Sequence, residues 1–260
     1  MRSSSWAVEP GFRAFVTRAY GDEGRAWIAR LPSVLETLME RWRLELGPEL
    51  PGGLLSCVRA VTLEDGDEAV LKVDSWPRTR DEIAALRVWA GEGAPALLAA
   101  DEGLGAMLLE RIEPGDHAVG ASGEAVGVLL RRLHVEPPPK LPTLAETVRE
   151  RVETALRDGR ASEQKAGWAL ARVAELERDP PATVLLHADL DERNLLVCRR
   201  RGLCAIDPLP CTGDPAYDAA YWVHGNRRPG RRARLETIVA ATGLDRARVR
   251  DWTAVVGVHG

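Results

Sequence analysis

The spacing of apolar positions in the first ninety residues predicts a helix, a β-hairpin and a second helix. From Ser33 to Trp42 apolar residues recur every three or four positions, and an S-x-x-E pattern predicts that this helix starts at Ser33. Two apolar or β-branched runs, 54–63 and 68–73, flank an acidic turn that contains Asp-Gly, which is a strong signal for antiparallel pairing. Helical spacing returns over residues 79–90, and the glycine that follows predicts the end of the helix.

The rest of the chain predicts one more strand and then a mainly helical region. Residues 106–112 predict a strand, and the Glu-Pro-Gly that follows is typical of a break between two subdomains. Helical spacing extends over 123–134 and 143–176. Three short apolar runs in the second half predict a small β insert whose loops lie on one side; they are 183–186, 195–198 and 203–206.

Composition narrows the class of protein. The chain has 260 residues, of which 45% are hydrophobic and 28% charged, values typical of a compact globular protein. Its 35 basic and 39 acidic residues give a net charge of −4, which argues against general binding to nucleic acid. The four cysteines lack metal-ligand spacing and are expected to be reduced. Because the sequence shows neither a signal peptide nor a membrane-spanning apolar stretch, we expect a cytoplasmic protein that binds no membrane.

The polar segment HADLDERN, residues 187–194, lies between two of the predicted short strands. Polar loops held by rigid strands are where catalytic groups are usually placed. Asp207 stands at the carboxyl end of the last short strand, so Asp189, Asn194 and Asp207 are expected to converge. Two carboxylates and an amide oxygen are hard ligands that suit Mg²⁺ and leave one carboxylate able to accept a proton.

The order H-x-D-x-x-x-x-N, followed by an aspartate at a strand end, matches the pattern used for phosphoryl transfer. In that chemistry Asp189 orients the nucleophilic hydroxyl, while Asn194 and Asp207 hold the metal. A structural alternative is that Asp189 and Asn194 only stabilise a turn and that Asp207 caps the next segment. The order and spacing of the whole set favour the catalytic interpretation.

Lysine is rare in this chain, and Lys72 lies within the otherwise apolar run AVLKV. A buried ammonium group needs an anion, so we expect Lys72 to contact the phosphates of a nucleotide and to be held by Glu82 on the next helix. Two alternatives remain. Lys72 could lie on an edge strand and point to solvent, and Glu82 could serve only the helix start, since Thr79 and Glu82 also form a capping box.

Two further segments place polar groups beside these candidates. PGGLLSCV, residues 51–58, stands where protein kinases have a glycine-rich loop, so phosphate contacts are expected from backbone N–H groups near Gly52, Gly53 and Ser56. In GDPAYDAA, Asp214 is expected to cap the helix that follows, and the same segment could also tie down the catalytic loop.

HADLDERNLLV, followed by AIDPLPCTGDPAYDAA, resembles the catalytic and metal-binding signature of the aminoglycoside phosphotransferase family. Five more segments resemble its streptomycin 6-phosphotransferase and hydroxyurea phosphotransferase branch: DEGRAWIARLP, ERWRLEL, AVLKVD, EIAALRVWAGEGAPALLAAD and MLLERIEPG. The resemblance covers most of the chain. It implies a two-lobed, protein-kinase-like α+β fold, with a small N-terminal lobe, residues 1–110, that carries an antiparallel sheet, and a larger, mostly helical lobe, residues 111–260.

The resemblance also assigns roles residue by residue. It implies ATP and Mg²⁺ as cofactors, Asp189 as the catalytic acid/base, and Asn194 and Asp207 as metal ligands. The backbone from Glu110 to Ile112 would hold the adenine ring. The full nucleotide-binding set that we expect is Lys72, Glu82, Ser56, Glu110 and Ile112.

The reaction implied by the resemblance is transfer of the γ-phosphoryl group of ATP to a hydroxyl of an aminoglycoside-type antibiotic, with streptomycin as the first candidate. The charges of Asp189, Asp191, Glu192 and Asp214 are expected to favour a cationic small-molecule acceptor. Two alternatives stay open. One is a kinase for another small molecule such as hydroxyurea; the other, suggested by the missing glycine-rich loop, is a catalytically silent kinase-like protein that binds nucleotide.

Overall fold

A computed structural model describes residues 10–50, 56–74, 78–225 and 230–260. The chain divides into two compact units. The first comprises the residues up to Ile83 together with Leu97–Arg111, and the second comprises Ala84–Ala96 and Ile112–Gly260. The chain therefore passes between the units three times.

The first unit contains a long helical segment, which is kinked at Gly21, and a five-stranded antiparallel sheet with the strand order β1-β2-β3-β5-β4. Its elements are α1 (Pro10–Trp42), β1 (Glu45–Glu49), β2 (Ser56–Thr62), β3 (Glu68–Asp74), the start of α2 (Thr79–Trp89), β4 (Leu97–Asp101) and β5 (Ala106–Glu110). β2 and β3 form the predicted hairpin, which turns through Gly66 at φ +92°.

The core of the first unit lies between α1 and one face of the sheet. The buried side chains that form it include Val16, Ile28, Leu31, Leu35 and Leu38 from α1, and Ala69, Leu71 and Val73 from β3. Because side chains alternate along a strand, Lys72 projects from the opposite face of β3. The hydrophobic core thus fixes the strand while leaving the other face to polar groups.

The predicted start of the first helix at Ser33 is wrong. α1 continues through Pro32, and the Ser33 hydroxyl donates to the carbonyl oxygen of Arg30 at 2.8 Å, as serines inside helices commonly do. Ile28 and Leu31, upstream of the expected cap, are buried in the core. Tertiary packing therefore extends the helix past a local start signal.

The second unit is mainly helical and carries two small sheets. Its elements after the end of α2 are β6 (Pro114–His117), α3 (Gly123–Leu133), α4 (Leu144–Arg157), α5 (Glu163–Leu176), β7 (Val184–Leu186), a 3₁₀ turn (Glu192–Asn194), β8 (Leu195–Cys198), β9 (Gly202–Ala205), β10 (Cys211–Gly213), α6 (Ala216–Gly225), α7 (Arg231–Thr242) and α8 (Arg246–His259).

The single β insert predicted for the second half is wrong. β7 pairs with β10, whereas β8 and β9 form a separate sheet with β6. β6 begins at Pro114, within the Glu-Pro-Gly that indicated a break; it is an edge strand, where a residue without an N–H is tolerated. These strands of three or four residues depend on their partners more than on their own apolar pattern.

α6 lies in the centre of the second unit, with residues 216–223 buried. Asp214 precedes it, and Asp214 Oδ1 accepts from the N–H of Ala216 at 2.9 Å, as a helix cap does. The other oxygen of this fully buried carboxylate contacts Arg248 and the indole N–H of Trp252 on α8. None of the helices within the described ranges is long and apolar enough to cross a membrane.

The residue after α2 offers a test of backbone strain. Ala90 is exposed and has φ +48°, a left-handed conformation that glycine adopts at lower cost. Ala90→Gly should raise the free energy of unfolding by about 0.5–1 kcal/mol. The matched variant Ala171→Gly, at an exposed position inside α5, should lower it by about 1 kcal/mol. Urea denaturation measures both; destabilisation by both variants would contradict the assignment of strain to Ala90.

Candidate active site

The segment 187–194 connects β7 to β8 and is fixed at its first residue. The carbonyl oxygen of His187 accepts from the N–H of Leu209 at 2.9 Å, and His187 Nε2 lies 3.0 Å from the carbonyl oxygen of Ile206. The imidazole also stacks on Trp89, with ring centroids 6.3 Å apart. Burial lowers the pKa of His187, so the ring is neutral near pH 7.

Asp218 holds the backbone of this loop from α6. Its side chain is fully buried; Oδ2 accepts from the N–H of His187 at 3.0 Å, and Oδ1 accepts from the N–H of Ala188 at 2.8 Å. His134 Nε2 lies 3.1 Å from Oδ2. Burial alone would raise the pKa of Asp218, but the contact with His134 and the hydrogen bond from the backbone N–H of His187 lower it instead. A buried carboxylate thus sets the start of the loop, which is the role that sequence analysis suggested for this segment.

Asp189 and Asn194 are brought together by the loop. Asn194 Nδ2 donates to the carbonyl oxygen of Asp189 and to its Oδ2, both at 2.8 Å. The Asp189 side chain keeps 25% of its surface exposed, so another molecule can reach it. Because the amide nitrogen faces Asp189, the amide oxygen of Asn194 projects in a different direction and is available as a ligand.

Asn194 and Asp207 lie at the same end of the β8–β9 hairpin. Leu195 pairs with Ala205, and the N–H of Ile206 donates to the carbonyl oxygen of Asn194 at 2.9 Å. Asp207 follows at φ +53°, a sharp turn of the backbone. An amide oxygen and a carboxylate are hard donors that fit Mg²⁺. Within the described ranges, no cluster of three or more His, Cys, Asp or Glu side chains is arranged to hold a metal, so a site here would include the amide of Asn194.

An arginine that sequence analysis missed contacts Asp189 from α4. Arg151 Nη2 donates to Asp189 Oδ1 at 3.3 Å, and Nη1 donates to the Tyr221 hydroxyl at 2.7 Å. The guanidinium carbon also lies 5.1 Å from the centroid of the Tyr221 ring. Burial raises the pKa of Tyr221, so its hydroxyl stays protonated and can donate as well as accept.

The acidic residues near the loop are largely paired inside the protein. Asp191 is buried and accepts from the N–H of Arg193 at 2.7 Å and from its Nε at 2.9 Å. Asp214 is buried against Arg248, so its charge does not reach a surface where an acceptor could bind. The expectation that Asp214 attracts a cationic acceptor is therefore wrong, because its charge is balanced within the fold.

A cavity of 550 Å³ opens beside this loop in the second unit. Its lining includes Asp191, Glu192, Arg193, Tyr221, His224 and Arg231. Glu192 is half-buried and accepts from the N–H of Gly120, and burial lowers the pKa of His224. Tyr221, which lines the cavity, also accepts a hydrogen bond from Arg151, the residue that contacts Asp189.

The first unit holds the lysine candidate in a buried ion pair. Lys72 Nζ lies 2.7 Å from Glu82 Oε1 and 2.8 Å from Oε2, and both side chains are less than a tenth exposed. β3 is the central strand of its sheet, so the edge-strand alternative for Lys72 is wrong. Both oxygens of Glu82 face the ammonium, which shows that Glu82 does more than begin α2.

The remaining nucleotide candidates are distributed over both units. Ser56 begins β2 opposite Asp74, and Gly52 and Gly53 lie outside the described residues. Glu110 ends β5 in the first unit. Ile112 is buried in the second unit in a cluster whose other buried members are Cys198 and Cys204.

Comparison with known proteins assigns the fold and a family. Residues 41–260 match the family model for aminoglycoside/hydroxyurea antibiotic resistance kinases. Streptomycin 6-kinase from Streptomyces griseus is 37% identical over 270 residues, covering 95% of this chain and 87% of that protein. Hydroxyurea phosphotransferase from Kitasatospora aureofaciens is 33% identical over 253 residues, covering 90% and 73%.

The structural comparison concerns the fold alone. A choline/ethanolamine kinase family protein from Mesorhizobium loti has a TM-score of 0.63 at 18% identity, covering 82% of this chain and 76% of that one. The protein-kinase-like α+β fold expected from the sequence is thereby confirmed.

Removal of the Asp218 carboxylate tests its hold on the loop. Asp218→Ala leaves two buried backbone N–H groups and His134 without this acceptor, so we expect a loss of about 3 kcal/mol in the free energy of unfolding. Asp158→Ala is the matched control, because its ion pair with Arg160 is exposed and should contribute less than about 1 kcal/mol. Urea denaturation measures both values; equal losses would show that Asp218 does not anchor the loop.

Proposed function

Because this chain belongs to the aminoglycoside/hydroxyurea antibiotic resistance kinase family, we propose that it transfers the γ-phosphoryl group of ATP to a hydroxyl group of streptomycin. The observation that carries the proposal is the partly exposed carboxylate of Asp189, which Asn194 holds in place on a loop anchored by Asp218. The identity with streptomycin 6-kinase extends over nearly the whole chain and supports this choice of acceptor.

Asp189 has the chemistry required of the acid/base residue. As the acceptor oxygen forms its bond to the γ-phosphorus, the hydroxyl proton passes to the Asp189 carboxylate and ADP leaves. Asn194 restricts rotation of that carboxylate by donating to Oδ2. Much of the rate of phosphoryl transfer comes from holding the attacking and leaving oxygens in line with the phosphorus. A carboxylate of fixed orientation helps to position the attacking hydroxyl oxygen.

Asn194 and Asp207 would hold Mg²⁺ through the amide oxygen and the carboxylate. Bound there, the ion would offset the negative charge of the ATP phosphates beside Asp189. Lys72, held by Glu82, would contact the phosphates, with backbone N–H groups near Ser56 as further donors. The backbone from Glu110 to Ile112 would hold the adenine ring.

The cavity beside Tyr221 is the proposed acceptor site. Its charged lining contains both signs, and Glu192 is the carboxylate best placed to meet a guanidinium or ammonium group, since Asp191 is paired with Arg193. Asp189 then remains for the hydroxyl. The proposal includes a cationic small molecule as the acceptor. It also includes action in the cytoplasm without binding to nucleic acid or membrane.

A second candidate acceptor is hydroxyurea, since this chain is 33% identical to hydroxyurea phosphotransferase. The two acceptors are separated by incubating the protein with Mg-ATP and each compound and analysing the products by mass spectrometry. We expect streptomycin to gain one phosphoryl group. Product from hydroxyurea alone would reassign the acceptor, and ATP binding without product from either compound would favour the silent kinase-like alternative.

Asp189→Asn should lower kcat for streptomycin by about 10³-fold, since it removes the group that accepts the proton while keeping the shape of the side chain. The affinity for Mg-ATP, measured by calorimetry, should stay close to that of the parent, because the proposal gives Asp189 no contact with the nucleotide. Equal turnover by variant and parent would contradict the assigned role.

The effects of substitutions at Lys72 and Glu82 on the free energy of unfolding should be strongly coupled. Lys72→Met removes the ammonium that both oxygens of the buried Glu82 contact, so we expect a loss of about 3 kcal/mol in the free energy of unfolding. Lys72→Met combined with Glu82→Gln should recover most of it, because no unbalanced charge is then buried. Both variants should bind ATP weakly. If the double variant were less stable than Lys72→Met, or if either variant bound ATP as tightly as the parent, the proposed role of the Lys72–Glu82 pair would be wrong.

A further inference from the structure

Arg151 is a buried cation whose side chain is directed at the candidate acid/base residue. It lies on α4, a helix whose start is fixed by a capping box between Thr143 and Glu146. Only 15% of the Arg151 side chain is exposed. Removing a guanidinium from water is costly unless other groups satisfy it, so its contacts indicate why it is there.

Those contacts are with Asp189 and Tyr221. One terminal nitrogen of Arg151 donates to Asp189 Oδ1 and the other donates to the Tyr221 hydroxyl. The Tyr221 ring also lies under the guanidinium. The three side chains come from α4, the loop 187–194 and α6, so the guanidinium of Arg151 links the other two.

Asp189 therefore has a separate donor on each carboxylate oxygen, Arg151 on Oδ1 and Asn194 on Oδ2. Two donors on opposite oxygens fix the plane of the carboxylate, which a single donor would allow to rotate. A carboxylate has about four lone-pair sites, so a hydroxyl can still bind to it. Arg151 also supplies the positive partner of Asp189 from within the protein.

We infer that Arg151 is a positioning residue for phosphoryl transfer, which holds Asp189 in the orientation that accepts the acceptor's hydroxyl and keeps a cationic group of the acceptor from pairing with Asp189 instead. The inference rests on the proposed function of Asp189. Arg151 acts through Asp189 and takes no proton or phosphoryl group itself. Its removal should therefore slow turnover at saturating ATP while leaving ATP binding intact.

The test compares Arg151→Met, Arg151→Lys and the parent in steady-state phosphorylation of streptomycin. We expect kcat to fall by about 100-fold in Arg151→Met, since a displacement of about 1 Å of a reacting group has this effect, and the KM for ATP to stay within about 2-fold. Arg151→Lys keeps the positive charge but lacks the planar group that donates to Asp189 and Tyr221 together, so it should recover only part of kcat. Arg149→Met is the matched control, since Arg149 is exposed on the same helix.

Chemical rescue separates positioning from a merely structural role. In Arg151→Ala, millimolar guanidinium ion should restore part of kcat, whereas methylammonium, which carries the same charge without the planar fork, should not. Parental kcat in Arg151→Met, or a fall equal to that of Arg149→Met, overturns the inference while leaving the proposed function intact. A parent protein that forms no product overturns the proposed function and the inference that rests on it.

Discussion

The candidate site depends on the hydrogen bonds that the buried carboxylate of Asp218 accepts. Its donors are the backbone N–H groups of His187 and Ala188, the two residues before Asp189, and His134 contacts the same carboxylate. Ala188 has φ +57°, a conformation that the surrounding contacts must maintain. Because the loop is held at its first two residues and again where Asn194 contacts Asp189, groups of the protein itself hold the carboxylate of Asp189 in place.

Three aspartates of the second unit are paired with arginines of the same unit. Asp191 is paired with Arg193, Asp214 with Arg248, and Asp189 with Arg151. The charge that the sequence presents as an acidic cluster is thus largely matched by arginines, of which Arg248 and Arg151 come from distant positions. In the proposed reaction, Glu192 recognises the cationic groups of the acceptor, whereas Asp189 activates its hydroxyl.

Sequence analysis predicted the parts of the site that are local or that carry rare residues. HADLDERN and Asp207 were identifiable by spacing, and Lys72 with Glu82 by the scarcity of lysine and by charge. Arg151 was not, since it lies 38 positions before Asp189 and nothing distinguishes it from its neighbour Arg149 until the helices pack. β1, which contains Gly47 and Pro48, was missed because pairing with β2 forms it against its local preference.

A crystal structure of the protein with Mg²⁺, a non-hydrolysable ATP analogue and streptomycin tests the role of Asp189 without relying on a variant. We expect one hydroxyl of the antibiotic to lie about 2.6–3.2 Å from a carboxylate oxygen of Asp189, with its oxygen directed at the γ-phosphorus. Arg151 and Asn194 should still hold that carboxylate. A bound antibiotic whose hydroxyl groups all lie away from Asp189 would show that Asp189 is not the acid/base residue.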